Sequence, residues 1–175
     1  AKGLVATVKG VLTAMITSGF LYSGEGTPSR GTPQRLLHES RRWQECADIL
    51  RTTHDLELDR LWEDEIGRHR GPFSPLLTAV AQVCLAELWQ RWGFRPDIVL
   101  GHSTGELAAA HEAGSYTLEE TLGLAFRIGE VAARLEGVML HGHWPEGQLG
   151  RLPVYVSSHN FRVEGGRHVT VSGYG

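Results

Sequence analysis

The chain has 175 residues, 41% of them hydrophobic and 21% charged, with a formal net charge of −3, which suits a globular domain with one core of ordinary size. That charge leaves no basic footprint for nucleic acid, and no apolar run reaches the length of a membrane span, so neither is an expected partner. Cys46 and Cys84 both lie in helical patterns and are expected as buried free thiols, which points to an intracellular, cytoplasmic setting.

Residues 1–19 are mildly apolar but carry Lys2 and Lys9 and lack the compact apolar block of a signal peptide. They read as a linker or N-terminal extension, and the alanine at position 1 hints at excision from something longer. Phe20-Leu21-Tyr22 is a short strand, ending in the turn Ser23-Gly24-Glu25-Gly26-Thr27-Pro28 and a polar loop over 29–31. Thr32-Pro33 has the form of an N-cap with proline at the first helical position. Leu36, Trp43, Ala47 and Leu50 share one helical face, which predicts a single helix from about 33 to 51. Residues 52–72 are charged and irregular, with a short helix near 58–66. Ser74-Pro75 opens the next helix, whose buried stripe is Leu77, Val80, Cys84 and Leu88 and which Gly93 stops.

The most informative segment follows. Ile98-Val99-Leu100 reads as a buried strand, and it runs directly into Gly101-His102-Ser103-Thr104-Gly105 and a helix beginning Glu106-Leu107-Ala108. Strand, Gly-x-Ser-x-Gly turn and helix make a nucleophile elbow, which presents the Ser103 hydroxyl above the sheet edge. The Thr104 amide then sits at a helix N-terminus, where a free N–H and the helix dipole stabilise an oxyanion. The pattern predicts acyl chemistry through a serine ester.

Gly114 breaks the elbow helix, and Thr117 caps another with Leu118, Leu122, Ala125, Ala132 and Leu135 facing inward. After Gly137 the composition changes: residues 138–150 are rich in glycine and histidine, and two alternating segments follow at 153–157 and 168–172. These read as strands joined by a loop that includes Glu164-Gly165-Gly166. The expected organisation is an α/β core with a parallel sheet over 20–137 and a β-containing subdomain over 138–175.

The order of these features resembles the malonyl-CoA:acyl-carrier-protein transacylases and the acyltransferase domains of modular polyketide synthases. The resemblance spans residues 20–173 and rests on Gly101-His102-Ser103-Thr104-Gly105-Glu106 at the elbow, Trp92-Gly93-Phe94-Arg95-Pro96-Asp97 before it and Ala108-Ala109-Ala110-His111-Glu112-Ala113-Gly114 after it. Asn160 and Val169-Thr170-Val171-Ser172-Gly173 resemble the first strands of that family's small ferredoxin-like subdomain. The implied fold is a three-layer α/β domain of the acyltransferase type, with the start of that small subdomain.

The resemblance implies a ping-pong transfer. Ser103 takes a malonyl-type acyl group from acyl-CoA, and the phosphopantetheine thiol of an acyl carrier protein, within a polyketide synthase of neighbouring domains, takes it from the serine. No cofactor or metal bound to the chain is implied. The oxyanion hole would be the backbone amides of Thr104 and Glu25; the family carries glutamine where Glu25 stands, so a carboxylate here adds negative charge beside the developing oxyanion. Arg127 is the candidate partner for the substrate's free carboxylate, because a guanidinium fork matches it bidentately, although it falls about one residue early for the family spacing.

The family's base histidine lies downstream of the small subdomain, and no residue of this chain matches it, so the base is expected from outside these residues. A serine without its base loses roughly 10³ to 10⁶ in rate. His102 leaves the elbow in another direction and reads as a packing residue; His141 and His143 flank a glycine but have no Cys or carboxylate pair nearby to complete a metal site. His159 and His168 read as edge or surface residues, and His38, His54, His69 and His111 as solvated ones. Two other readings stand beside the enzyme: a degenerate acyltransferase remnant serving as a structural or docking module, and an esterase or thioesterase that uses water as acceptor.

Overall fold

The computed structural model describes residues 18–25, 33–135, 138–145, 155–163 and 166–173, with side chains in the last three segments given only for 142–145 and 169. The turn beyond Glu25, the capping Thr32 and most of the N-terminal extension lie outside the described residues. The chain divides into two compact units, 1–133 and 134–175.

In the first unit, β1 (Gly19–Tyr22) and β2 (Ile98–Gly101) pair in parallel, with Gly19 opposite Ile98 and Tyr22 opposite Gly101. Asp97 sets that register: its carboxylate accepts from the Ser18 N–H at 3.0 Å, while its own N–H donates to the Ser18 carbonyl at 3.0 Å. Tyr22 on one face of the pair is 5% exposed, whereas Leu21 and Leu100, opposite each other on the other face, are 76% and 57% exposed. The apolar run at 98–100 is therefore covered on one face only by the described residues, which corrects the expectation of a strand buried throughout.

The helices supply that covering layer. The single helix expected over 33–51 is two: a one-turn α1 (Gln34–Leu37) and α2 (Arg41–His54). The break lies at buried Ser40, whose hydroxyl accepts from the Arg42 N–H at 3.2 Å and donates to the Glu87 carboxylate at 2.8 Å. An N-cap held by a residue 47 positions away breaks a helix that the apolar spacing carries straight through. Leu37 rather than Leu36 is the buried residue of α1. Asp55, in the left-handed region at φ 55°, closes α2.

The short helix predicted near 58–66 is α3 (Leu58–Glu63), and Asp64 then accepts the Ile66 and Gly67 N–H groups, which hold its carboxyl below the usual range. The next helix, α4 (Phe73–Arg91), is buried on every side from Ser74 to Cys84, not along one stripe, and forms the axis of the core. Such a helix is apolar all round because other elements cover each of its faces. Cys46 on α2 and Cys84 on α4 are free and buried; the hydrogen bond between the thiols, then burial, holds Cys46 well above the usual thiol range.

After β2 come α5 (Gly105–Glu112) and α6 (Leu118–Ala132). Thr117 caps α6 as expected, in a full capping box: its hydroxyl accepts from the Glu120 N–H at 3.1 Å, and Glu120 accepts from the Thr117 N–H at 2.8 Å. Leu118, Leu122 and Ala125 are buried, but Ala132 and Leu135 are exposed, so the inward face ends one turn before the sequence pattern does.

The second unit holds β3 (Val138–Pro145), β4 (Tyr155–Val163) and β5 (Gly166–Gly173), antiparallel in the order β3-β5-β4. Two of these strands were expected; β3 was not, because its Gly142 and flanking histidines carry little strand propensity. Gly166, read as loop, begins β5.

Thr117→Ala removes the acceptor of the α6 cap and is expected to lower stability by about 1 kcal/mol, read as a shifted midpoint in urea at unchanged slope.

Candidate active site

Strand, turn and helix follow one another over residues 98–112 as the sequence predicts, and their parts can be traced to particular backbone contacts. The His102 N–H continues the β1–β2 ladder by donating to the Tyr22 carbonyl at 2.9 Å. The chain then turns at Ser103, which lies in the left-handed region at φ 56° and is exposed. A serine there costs of order 1 kcal/mol or more, so it persists only where the surroundings fix it. They do so at once: Gly105 N–H donates to the His102 carbonyl at 3.0 Å and Glu106 N–H to the Ser103 carbonyl at 3.0 Å, closing the first turn of α5.

Gly105 makes this geometry sterically accessible. A Cβ at this position would land on the carbonyl oxygens of Tyr22 and Ser23, so α5 begins in direct backbone contact with the end of β1. Gly24 has the complementary role from the other side, where a Cβ would stand 3.2 Å from the Ser103 Cβ and 3.2 Å from His102 Nδ1. Ser23 and Gly24 thus lie against the turn formed by Gly101, His102, Ser103, Thr104 and Gly105, and Glu25 follows Gly24 in the chain. Thr104, the residue after Ser103, is buried at the N-terminal end of α5, and its hydroxyl has no hydrogen-bond partner among the described residues. No described histidine nitrogen hydrogen-bonds the Ser103 hydroxyl; His102 is exposed with its ring beside Gly24.

Two residues that support this turn escaped the sequence reading. Gln82, buried in the middle of α4, donates its amide to the Ser23 carbonyl and so ties the turn to the core helix. Its signal was a lone amide in the apolar run from Thr78 to Ala86. Tyr22 is buried beneath the elbow; burial, and then the Glu112 carboxylate, push its phenol far above the usual tyrosine range.

Arg127 is placed elsewhere. The inward positions of α6 are Leu118, Thr121, Leu122, Ala125 and Gly129, so residue 127 falls on its outward side. Its side chain is 79% exposed and its guanidinium lies 3.4 Å from the Glu130 carboxylate. It lines a depression of about 390 Å³ with His54, Tyr116, Glu120, Gly123 and Leu124, which includes no residue of the elbow.

The four histidines expected to be solvated all have protein partners, and His69 Nε2 accepts from Arg68 Nε at 3.3 Å. His38 hydrogen-bonds Asp59 at 3.0 Å, His54 packs on the Phe126 ring and His111 Nδ1 meets the Tyr116 carbonyl at 3.0 Å. No group of three His, Cys, Asp or Glu side chains among the described residues is arranged to hold a metal ion.

Gly105→Ala is expected to cost about 3 kcal/mol or more in urea unfolding, because the new methyl meets backbone that cannot move aside. Gly123→Ala, inside α6 with open space at the Cβ position, is expected to stabilise by about 0.5–1 kcal/mol in the same measurement.

The family pattern described as "Acyl transferase domain" matches residues 19–140. Polyketide synthase GfsB of Streptomyces halstedii is 34% identical over 192 aligned positions, which take in 99% of this chain and 3% of that protein. Among solved structures, the acyltransferase domain from the second module of the salinomycin polyketide synthase superposes with a TM-score of 0.72 at 25% identity, covering 99% of this chain and 46% of that one. A loading acyltransferase from the avermectin modular polyketide synthase superposes with a TM-score of 0.67 at 25% identity, covering 89% and 54%. The chain thus spans about half the length of these solved domains and a few per cent of the synthase, and it belongs to the acyl transferase domain family.

Proposed function

We propose that the chain carries the nucleophile half of an acyltransferase that moves a malonyl-type unit from coenzyme A to the phosphopantetheine thiol of an acyl carrier protein. The observation that carries this reading is the exposed Ser103 held at φ 56° with the Gly24–Glu25 turn packed against it. In the first half-reaction the Ser103 oxygen bonds to the thioester carbonyl carbon and the serine proton leaves to a base. The tetrahedral oxyanion then collapses with loss of the coenzyme A thiolate, which takes the proton back from that base and leaves as the thiol. In the second half the carrier thiol attacks the acyl-serine ester by the same steps in reverse.

The amides of Glu25 and Thr104 are the proposed oxyanion donors, one from the turn after β1 and one from the start of α5. The proposed base is a histidine, as the family resemblance implies; among the described residues no histidine nitrogen hydrogen-bonds Ser103. Arg127 is the proposed grip on the substrate carboxylate, a role that requires it to leave Glu130 and to reach the elbow from the outward side of α6.

We also read the sheet as part of the three-layer acyltransferase arrangement. Support comes from the bare Leu21–Leu100 face and from an apolar groove of about 590 Å³ along β1, lined by Phe20, Leu85, Trp89 and Phe94 among others. The order β3-β5-β4, in which the third strand lies between two mutually parallel ones, is that of a split β-α-β unit and supports the ferredoxin-like reading of the second unit.

Incubation with labelled malonyl-CoA followed by intact-mass measurement tests the nucleophile. The expected result is one acyl adduct, absent from Ser103→Ala; no adduct on the wild type, even with an acyl carrier protein and partner domains added, favours the degenerate docking module. Release of free acid without carrier loading favours a thioesterase. Arg127→Ala is expected to reduce the preference for malonyl over acetyl donors about ten- to hundredfold in acylation rate, the worth of a charge-assisted pair. Unchanged preference removes that role from Arg127.

A further inference from the structure

The turn after β1 is held at two successive carbonyls. Tyr22 accepts from the His102 N–H at 2.9 Å, which continues the strand ladder, and Ser23 accepts from the Gln82 side-chain amide. The second bond joins residues 59 apart in sequence, and its donor comes from the part of α4 where every residue from Ser74 to Cys84 is buried.

Gln82 is 6% exposed, and only half of its amide is satisfied. Nε2 donates to Ser23, whereas Oε1 is buried and meets no donor among the described residues. A buried acceptor without a donor costs more than an ordinary hydrogen bond returns, so this amide is a net burden on folding. An apolar side chain of similar length would fill the same space without that burden. Stability therefore gives no reason for an amide at this position, and its contribution lies in what it holds.

What it holds is a peptide plane. The Ser23 carbonyl and the Gly24 N–H belong to one planar unit, so fixing the carbonyl fixes both. The Glu25 N–H lies one peptide further on, across a glycine with no side chain to restrict its rotations. A Cβ on Gly24 would stand 3.2 Å from the Ser103 Cβ, so the plane that Gln82 fixes adjoins the serine. Releasing the Ser23 carbonyl frees the rotations on either side of that plane, and the direction of the Glu25 N–H then spreads over a wider range. An oxyanion donor is effective only when it is aimed beforehand.

We propose that Gln82 is a positioning residue for acyl transfer: through the Ser23 carbonyl it holds the β1 turn so that the Glu25 N–H is aimed at the oxyanion formed on Ser103. The proposal rests on the reading of Ser103 as the nucleophile and of the Glu25 amide as an oxyanion donor. Because the oxyanion exists only along the reaction path, loss of this restraint slows acylation without weakening the binding of the thioester.

The test follows acylation of the whole 175-residue chain by malonyl-CoA, with imidazole added as proton acceptor and Ser103→Ala as the blank. Gln82→Met keeps the length and removes the donor. Its rate at saturating malonyl-CoA is expected to fall about ten- to hundredfold, with the half-saturating concentration unchanged and the urea midpoint unchanged or higher. Gln82→Glu supplies the conservative rescue. A protonated carboxyl donates to the Ser23 carbonyl and an ionised one cannot, so its rate relative to the wild type is expected to fall as pH rises from 5 to 8.

A Gln82→Met rate equal to that of the wild type would overturn the proposal and leave the nucleophile reading intact. So would a rate that falls only in step with a lower urea midpoint, which is loss of fold. A wild type that takes no acyl group overturns the transfer reading itself, and the amide resonances of Gly24 and Glu25 then decide the role of Gln82. Shifted or exchange-broadened peaks in Gln82→Met support the restraint, and peaks identical to those of the wild type overturn it.

Discussion

The candidate active site depends on one close approach: the backbone of Gly105 against the carbonyls of Tyr22 and Ser23. That contact brings the start of α5 onto the end of β1 and leaves Ser103 no conformation but the left-handed one. The rest of the first unit serves it. Asp97 clamps the strand register, buried α4 gives the sheet a surface to rest on, and the Gln82 amide holds the Ser23 carbonyl. A strained backbone needs such over-determination, because each restraint is worth only about as much as the strain itself.

The chemistry follows from where charge is placed around that serine. In the proposed reading the amides of Thr104 and Glu25 are the oxyanion donors, one at a helix N-terminus and one on a turn tied to the core. In that reading the carboxylate of Glu25 adds a like charge beside the oxyanion, while Arg127 is engaged with Glu130 on the outer side of α6. The arrangement is thus well built for holding Ser103 in place and less so for holding a substrate carboxylate. Those two tasks are separable: the first is set by backbone contacts, and the second by side chains that can change without disturbing them.

Much of this was legible in the sequence, for reasons that differ element by element. The elbow was visible because glycine at 101 and 105 is demanded by local sterics, and a short motif records those glycines around Ser103. The α6 start was visible because a capping box is local too. The break at Ser40 was not, since its hydroxyl is committed to Glu87 on another helix and the apolar spacing runs on through it. β3 was missed because sheet pairing, not propensity, makes a strand of a segment containing His141, Gly142 and His143. Arg127 was legible as a charge in the right helix, but its direction depends on a single position of helical phase, and the buried set of α6 turns it outward.

The most direct test of the account is the rate at which Ser103 is acylated by malonyl-CoA in Glu25→Gln compared with the wild type, followed by quenched intact-mass measurement. If the Glu25 amide and the Thr104 amide bind the oxyanion, replacing the carboxylate by an amide keeps the donor and removes a like charge, and the rate rises about fivefold. An unchanged or lower rate would contradict the placement of the oxyanion hole between the β1 turn and the start of α5.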